Sequence, residues 1–329
     1  MKISKKALGL LVGFLILFLL LWHLDFKEIA QKLSHMNPAL FAAAIFWIAM
    51  GQLAGYAKWL VMKQKTHPDV QMPMAKIYSS VFVTGMVTPA RAGDLLASFA
   101  WPAYQGTILA WSILNRIFEG GMTIVLALVV LGFFFSRTLE GLHWSGLLVF
   151  TAIAVCGITL VFSRKFGSFV FDIAKKLLRK WERFGWTRRI LNFENHIEAQ
   201  MKIFYDTLDE MKKAHALTQL LFLTLLARFC TIFSNYILLH SLGAYLRWQD
   251  LLGILAVTWV SGFFAPTPNG IGIGDLPPSL LLAHLGYQAF AGSFVVMNRL
   301  LEAVITAVWF LIGFNSKTLF KPAVKKNEI

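Results

Sequence analysis

The chain contains the stretch TPNGIGIGD at residues 267–275 and a shorter relative, TPARAGD, at residues 88–94. Each stretch is followed by the pattern Asn-Arg-x-x-Glu, at residues 298–302 and 115–119 respectively. Proline removes a backbone donor and glycine permits unusual turns, so both residue types interrupt helices. Hydrophobic segments broken by Gly and Pro at corresponding positions in two halves are typical of transporter binding sites. The pattern therefore predicts a duplicated membrane transport unit.

The composition independently indicates a membrane protein. Of the 329 residues, 57% are hydrophobic and only 15% are charged. Apolar runs long enough to cross a bilayer predict six spanning helices near residues 7–24, 39–62, 107–135, 145–163, 216–242 and 289–314. The two interrupted stretches then form re-entrant or broken helical elements. We therefore predict an all-α polytopic membrane protein in which residues 1–329 form a single transmembrane domain.

Lys and Arg residues are distributed unequally between the two sides of this arrangement. Segments 1–6, 63–76, 164–215 and 315–329 contain 22 of them, whereas segments 25–37, 136–144 and 243–250 contain four. Cytoplasmic loops are enriched in Lys and Arg, so we expect both termini in the cytoplasm of a bacterial-type cytoplasmic membrane. The two interrupted stretches then enter from opposite sides. This predicts inverted 3+3 repeats, about residues 7–135 and 145–314.

The charged residues left inside the predicted membrane region indicate the binding site. They are Lys58, Arg91, Arg116, Arg228, Arg299, Asp94, Glu119, Asp275 and Glu302. Each costs roughly 2.5 to 3.5 kcal/mol at the bilayer centre, so we expect them to face one another, a cavity or a substrate. Their single net positive charge suits an anionic headgroup. The candidate substrate-binding residues are Arg91, Asp94, Arg116, Glu119, Asn269, Gly270, Gly272, Asp275, Arg299 and Glu302. We predict no catalytic residue, metal site or cofactor.

The sequence leaves two roles open for some of these residues. Arg116 with Glu119, and Arg299 with Glu302, are spaced i to i+3 and can bridge within one helix. The arginines then either bind a substrate phosphate through their donor fork or form static ion pairs. Asp275 either caps a short helix or carries a coupling proton.

The segment 164–215 is the most basic part of the chain, with 12 Lys and Arg against seven Asp and Glu. Its aromatic residues predict one or two amphipathic helices that lie on the cytoplasmic leaflet and contact anionic lipid headgroups. An ordinary solvated cytoplasmic loop is the alternative. Most of the formal charge of +14 is explained by orientation and lipid contact, and we see no nucleic-acid recognition module.

These motifs resemble those of a known family. Residues 89–94, 266–275 and 115–119 are similar to signatures of the lysylphosphatidylglycerol synthase transmembrane-region family, which includes the membrane half of the multiple peptide resistance factor. The resemblance covers about residues 7–314. It implies phospholipid translocation between leaflets by an inverted-repeat helical fold. The sequence ends at Ile329 without the soluble aminoacyl transferase of bifunctional members, so lipid aminoacylation is not expected.

The predicted function is that of a flippase for an anionic or lipid-linked phosphate-bearing lipid, without enzymatic activity. One alternative is a carrier of a small water-soluble anion, coupled to protons through Asp94 or Asp275. Another is a membrane-embedded transferase that acts on a polyprenyl phosphate, although the outer loops are short for a catalytic site. A non-catalytic assembly partner would need no cavity.

Overall fold

The computed structural model describes residues 31–88, 91–138, 163–165, 168–169, 172–173, 176, 194–213, 215–265, 267 and 269–314. The helices in this part of the chain are α1 (Pro38–Thr66), α2 (Met74–Met86), α3 (Gly93–Leu96), α4 (Gln105–Thr138), α5 (Glu194–Lys213), α6 (Ala216–Ser241), α7 (Trp248–Phe264), α8 (Leu276–His284) and α9 (Gln288–Phe314). Two short 3-10 turns join α3 to α4. The predicted all-α class is confirmed.

Four helical stretches in the described residues are long and apolar enough to cross a membrane: Pro38–Thr66, Pro102–Val130, Ala216–Ser241 and Gln288–Gly313. They coincide with the spans predicted at 39–62, 107–135, 216–242 and 289–314. The other two predicted spans, 7–24 and 145–163, lie outside the described residues apart from Ser163. The protein is therefore a multi-pass membrane protein, while its orientation and the inversion of its repeats stay predictions.

Helix α1 illustrates how the sequence fixes the bounds and the packing of a span. The Asn37 side chain accepts hydrogen bonds from the amides of Ala39 and Leu40 at 3.0 and 3.2 Å, which caps the helix where Pro38 starts it. Farther along, α1 packs on α6. A Cβ atom added to Gly51 would lie 3.3 Å from the Ala227 carbonyl oxygen, so glycine allows the two backbones to approach closely.

The two halves of the chain pack on each other reciprocally. Helix α2, which precedes the first interrupted stretch, packs against α9, and helix α7, which precedes the second, packs against α4. The contact of α2 with α9 includes a hydrogen bond from the Ser79 hydroxyl to the Trp309 carbonyl. Each interrupted stretch is thus held near the long helix of the other half. This packing places the two motifs close together.

The surface helices predicted for the basic segment 164–215 depend on aromatic residues at 166–186, of which only Phe169 lies within the described residues. Helix α5, later in the same segment, packs against the protein. Its apolar side chains Phe204, Tyr205, Leu208 and Met211 are buried in the same core as Trp59 of α1 and Trp111 of α4. Hydrophobic burial against these helices stabilises α5. Its apolar side is therefore covered by protein and not by lipid. Contact between the segment and anionic headgroups stays a prediction.

Candidate functional site: a charged cavity between the two interrupted regions

The first interrupted region, residues 87–92, turns the chain from α2 into α3. The Thr88 hydroxyl donates to the Thr84 carbonyl at 2.8 Å and accepts the Gly93 amide at 2.6 Å. A Cβ atom on Gly93 would lie 2.1 Å from the Thr84 carbonyl oxygen, so only glycine fits there. Arg91, at φ 52°, adopts the left-handed conformation, which is uncommon for residues other than glycine. The local fold thus fixes the direction in which Arg91 leaves the backbone.

The second interrupted region, residues 265–275, connects α7 to α8. Asn269, Gly270 and Gly272 have positive φ angles of 47°, 69° and 82°. Glycine adopts this conformation without steric cost, and asparagine tolerates it. Gly272 and Arg91 each lie three residues before an aspartate, Asp275 and Asp94, and both are left-handed. The two regions therefore share a backbone turn although their sequences differ.

Asp275 lies immediately before α8, but its side chain makes no capping hydrogen bond to that helix. Its carboxylate instead accepts the Gly272 amide at 2.9 Å and pairs with Arg299. The capping role suggested by the sequence is therefore wrong for this side chain. Asp275 stabilises the turn before the helix and fixes Arg299.

Matching ion pairs connect each long helix to the aspartate that ends the interrupted stretch of its own half, residues 88–94 or 267–275. Arg116 Nε lies 2.9 Å from Asp94 Oδ2, and Arg299 Nη2 lies 2.8 Å from Asp275 Oδ1. The spacing of the motifs, which pairs residues within one helix, did not predict these contacts. Both aspartates are almost completely buried, so each arginine neutralises a charge that would otherwise be costly inside the protein.

The two glutamates of the repeated pattern have different partners. Arg299 Nη1 lies 2.7 Å from Glu302 Oε2, which confirms the predicted bridge within α9, and the Asn269 amide donates to the same oxygen at 2.9 Å. In the first half, Glu119 forms its short ion pair with Lys58 of α1, whose Nζ lies 2.8 Å from Glu119 Oε1. Lys58 is only 2% exposed, so this contact buries a full positive charge.

Two cavities that share part of their lining meet at these residues. The first, about 150 Å³, is lined by Lys58, Asp94 and aromatic residues that include Trp59 and Tyr78. The second, about 190 Å³, is lined by residues of both halves, and we call it the central cavity; its lining includes Arg116, Trp259, Asn269, Gly270, Asp275, Arg299 and Glu302. Arg91, Glu119 and Arg228 line both cavities. Nine of the ten candidate site residues therefore line a cavity, and Gly272 supports Asp275 instead.

Arg228 of α6 belongs to this site although the motifs did not include it. Its Nη2 donates to the Thr123 hydroxyl at 2.7 Å and to the Glu119 carbonyl at 3.3 Å. Its guanidinium lies over the Trp259 ring, 5.1 Å from the ring centre. The sequence did contain a signal for Arg228 and for Lys58, because each is a charged residue inside a predicted span but outside both motifs. No comparable signal pointed to Trp259, because apolar residues are ordinary in a span.

The charges around the cavities favour an anionic ligand. Among the described residues, Lys58 and four arginines line them, against the carboxylates of Asp94, Glu119, Asp275 and Glu302. Guanidinium groups offer paired donors that match the oxygens of a phosphate or carboxylate.

Comparison with protein families matches residues 6–309 to the family described as Lysylphosphatidylglycerol synthase TM region. No curated protein and no solved structure matches the chain. The matched residues include both interrupted regions and all residues that line the two cavities.

Proposed function

We propose that this chain, which belongs to the lysylphosphatidylglycerol synthase transmembrane-region family, translocates an anionic or lipid-linked phosphate-bearing lipid across a bacterial-type cytoplasmic membrane. Family membership indicates a membrane lipid-related function. The observation that carries the finer proposal is the central cavity, in which charged residues of both interrupted regions converge among helices of membrane length. Both termini lie in the cytoplasm in this proposal, and the protein is a transporter and not an enzyme.

A lipid headgroup needs such a cavity because a charge in hydrocarbon is too costly to cross unaided. Donors and acceptors on the cavity wall replace the water that the headgroup loses. The acyl chains can stay in the bilayer, because the outer surfaces of the long helices are apolar. Phe46 and Leu53 of α1 and Phe310 and Leu311 of α9 are 57%, 52%, 48% and 64% exposed. In this proposal the lipid moves with its headgroup in the protein and its acyl chains in the bilayer.

Gly262 of α7 provides a way to test this proposal. It lines the central cavity, and a Cβ atom added to it meets nothing within 4 Å. The Cβ atom of a leucine at this position therefore meets no clash, and we expect the rest of the side chain to fill part of the cavity. Ala49, an exposed residue on α1, is the matched control, because the Ala49→Leu substitution adds a similar side chain to the outer surface.

The measurement is the transbilayer movement of a labelled phosphatidylglycerol in liposomes that contain the purified protein. We expect the wild type and Ala49→Leu to accelerate this movement and Gly262→Leu to slow it, with equal amounts of folded protein. If a panel of anionic lipids moves no faster than in protein-free liposomes while a soluble anion is taken up, the protein is a small-anion carrier. Equal rates for Gly262→Leu and the wild type would remove the central cavity from the lipid pathway.

A further inference from the structure

We infer that Arg91 and Arg228, with Thr123 and Trp259, form the site that holds the phosphate of the transported lipid, and that this phosphate site selects phosphodiesters with a single negative charge. The inference rests on the proposed function and names the substrate class of the same cavity. Arg228, Thr123 and Trp259 lie outside both sequence motifs.

The distance to the nearest carboxylate oxygen separates the five cations around the cavities into two groups. Lys58, Arg116 and Arg299 each have a carboxylate oxygen within 2.9 Å. Arg91 lies 3.8 Å from Glu119 and 3.9 Å from Asp94, and its buried Nε has no hydrogen-bond partner. Among the described residues, no carboxylate lies within 4.0 Å of the Arg228 guanidinium. The positive charge that is available to a ligand therefore lies at Arg91 and Arg228.

The surroundings of Arg228 suit a phosphate more than a static structural contact. Both hydrogen bonds described for Arg228 use Nη2, so Nη1 and Nε have no protein partner among the described residues. The Trp259 ring lies against the guanidinium and stabilises it by a cation–π contact. A guanidinium held in this way presents a pair of donors whose spacing matches two oxygens of a phosphate. The Thr123 hydroxyl accepts from Arg228 at 2.7 Å and donates to the Glu119 carbonyl at 2.8 Å, so it holds the guanidinium in position.

The charge balance predicts which phosphate esters fit. In the described part of the chain, five cations and four carboxylates line the two cavities, which leaves one positive charge without a counterion. A phosphodiester carries one negative charge and neutralises this excess. A phosphomonoester, with a second pKa near 6, carries about 1.5 to 2 negative charges at neutral pH and would leave an unbalanced charge in a poorly hydrated site. A choline headgroup would instead bring another cation next to the arginines.

The test measures lipid binding by native mass spectrometry on the purified full-length protein in detergent. Phosphatidylglycerol, phosphatidylcholine, phosphatidic acid and inorganic phosphate are the probes. We expect phosphatidylglycerol to bind more tightly than the other three. Arg228→Gln should weaken its binding roughly tenfold, because a charge-assisted contact is lost. Arg247→Gln is the matched control, because Arg247 is an exposed loop arginine that pairs with Asp250 and lines neither cavity.

Two further variants separate a binding role from a structural role. Arg228→Gln should melt within a few degrees of the wild type, because no carboxylate loses a short-range partner. If Arg228→Gln does not fold, Thr123→Val and Trp259→Leu test the same site, and each should weaken phosphatidylglycerol binding severalfold. Arg228→Lys keeps the charge and loses the donor fork, so its affinity should lie between those of the wild type and Arg228→Gln.

The outcomes distinguish this inference from the proposed function. Unchanged phosphatidylglycerol binding by Arg228→Gln and Trp259→Leu would overturn the phosphate site, even if the wild type translocates lipid in liposomes. Equal binding of phosphatidic acid would overturn the single-charge selectivity. Competition by inorganic phosphate at the same concentration as the lipid would assign the site to a free anion. If phosphatidylglycerol binds in an Arg228-dependent way but is not translocated in liposomes, the flippase function is refuted and the phosphate site is not.

Discussion

Replacing Arg299 with glutamine should destabilise the protein strongly, because this arginine connects α9 to the second interrupted region through three partners. Its guanidinium donates to Asp275 through Nε at 2.9 Å, lies 2.7 Å from Glu302 through Nη1, and donates to the Asn269 carbonyl at 3.1 Å. The side chain of Asp275 is only 6% exposed. Glutamine has a similar apolar stem and can donate a hydrogen bond, but it carries no charge. The substitution therefore leaves two carboxylates without their shared cation.

The size of the effect follows from the burial of these charges. Removing one partner of a buried ion pair costs about 3 to 5 kcal/mol, since the other charge stays buried without compensation. A loss of about 3 kcal/mol lowers the ratio of folded to unfolded protein by roughly 100-fold. Arg228→Gln should cost much less, because the structure shows no carboxylate within 4.0 Å of Arg228 among the described residues. The difference in stability between the two variants therefore measures the loss of the ion pairs separately from the general effect of removing an arginine.

Thermal unfolding in detergent, followed by tryptophan fluorescence, measures both variants against the wild type. Adding Asp275→Asn to Arg299→Gln should recover part of the lost stability, because an amide needs no cation. An Arg299→Gln protein that melts at the wild-type temperature would refute the reasoning. It would show that these carboxylates reach water or another cation.

Two other predictions test the packing and the orientation of the chain. Gly85→Ala places a Cβ atom 1.7 Å from Asp94 Oδ1 and should lower the free energy of unfolding by about 1 to 3 kcal/mol. In Gly262→Ala the added Cβ atom meets nothing within 4 Å, so this variant should be as stable as the wild type. A thermal melt of both variants measures the difference. In a variant whose two native cysteines are replaced by alanine, single cysteines at Gly141 and Ser168 should react with an impermeant reagent from opposite sides of the membrane. Labelling of both from one side would contradict the charge-based orientation and the inverted repeats.

The sequence predicted the fold class and the interrupted regions well because both depend on local properties. A run of apolar residues in a membrane must form a helix to satisfy its backbone, so hydropathy alone predicted spans such as 216–242, observed as Ala216–Ser241. Glycines at positions such as Gly270 and Gly272 predicted breaks, and the backbone there has positive φ angles. These features need no knowledge of which helices are neighbours.

The contacts within the site could not be predicted in the same way, because they depend on packing between distant helices. The pairing of Lys58 with Glu119 joins residues 61 positions apart, and Arg228 reaches Thr123 across 105 positions. Spacing within one helix favoured a bridge from Arg116 to Glu119, three positions along the chain, and the structure shows a short pair of Arg116 with Asp94. The arrangement of helices therefore decides which buried charges are neutralised and which remain for a ligand.

The occupancy of the central cavity by a lipid headgroup tests the main conclusion most directly. A phosphatidylglycerol with a photoactivatable group on its headgroup can be incorporated with the protein into liposomes, activated by light and located by peptide mass spectrometry. We predict adducts on peptides of α4 and α7 that contain Thr123 and Trp259, and their loss in Gly262→Leu. Adducts confined to exposed apolar residues such as Phe46 and Phe310, unchanged in Gly262→Leu, would contradict the proposed lipid pathway.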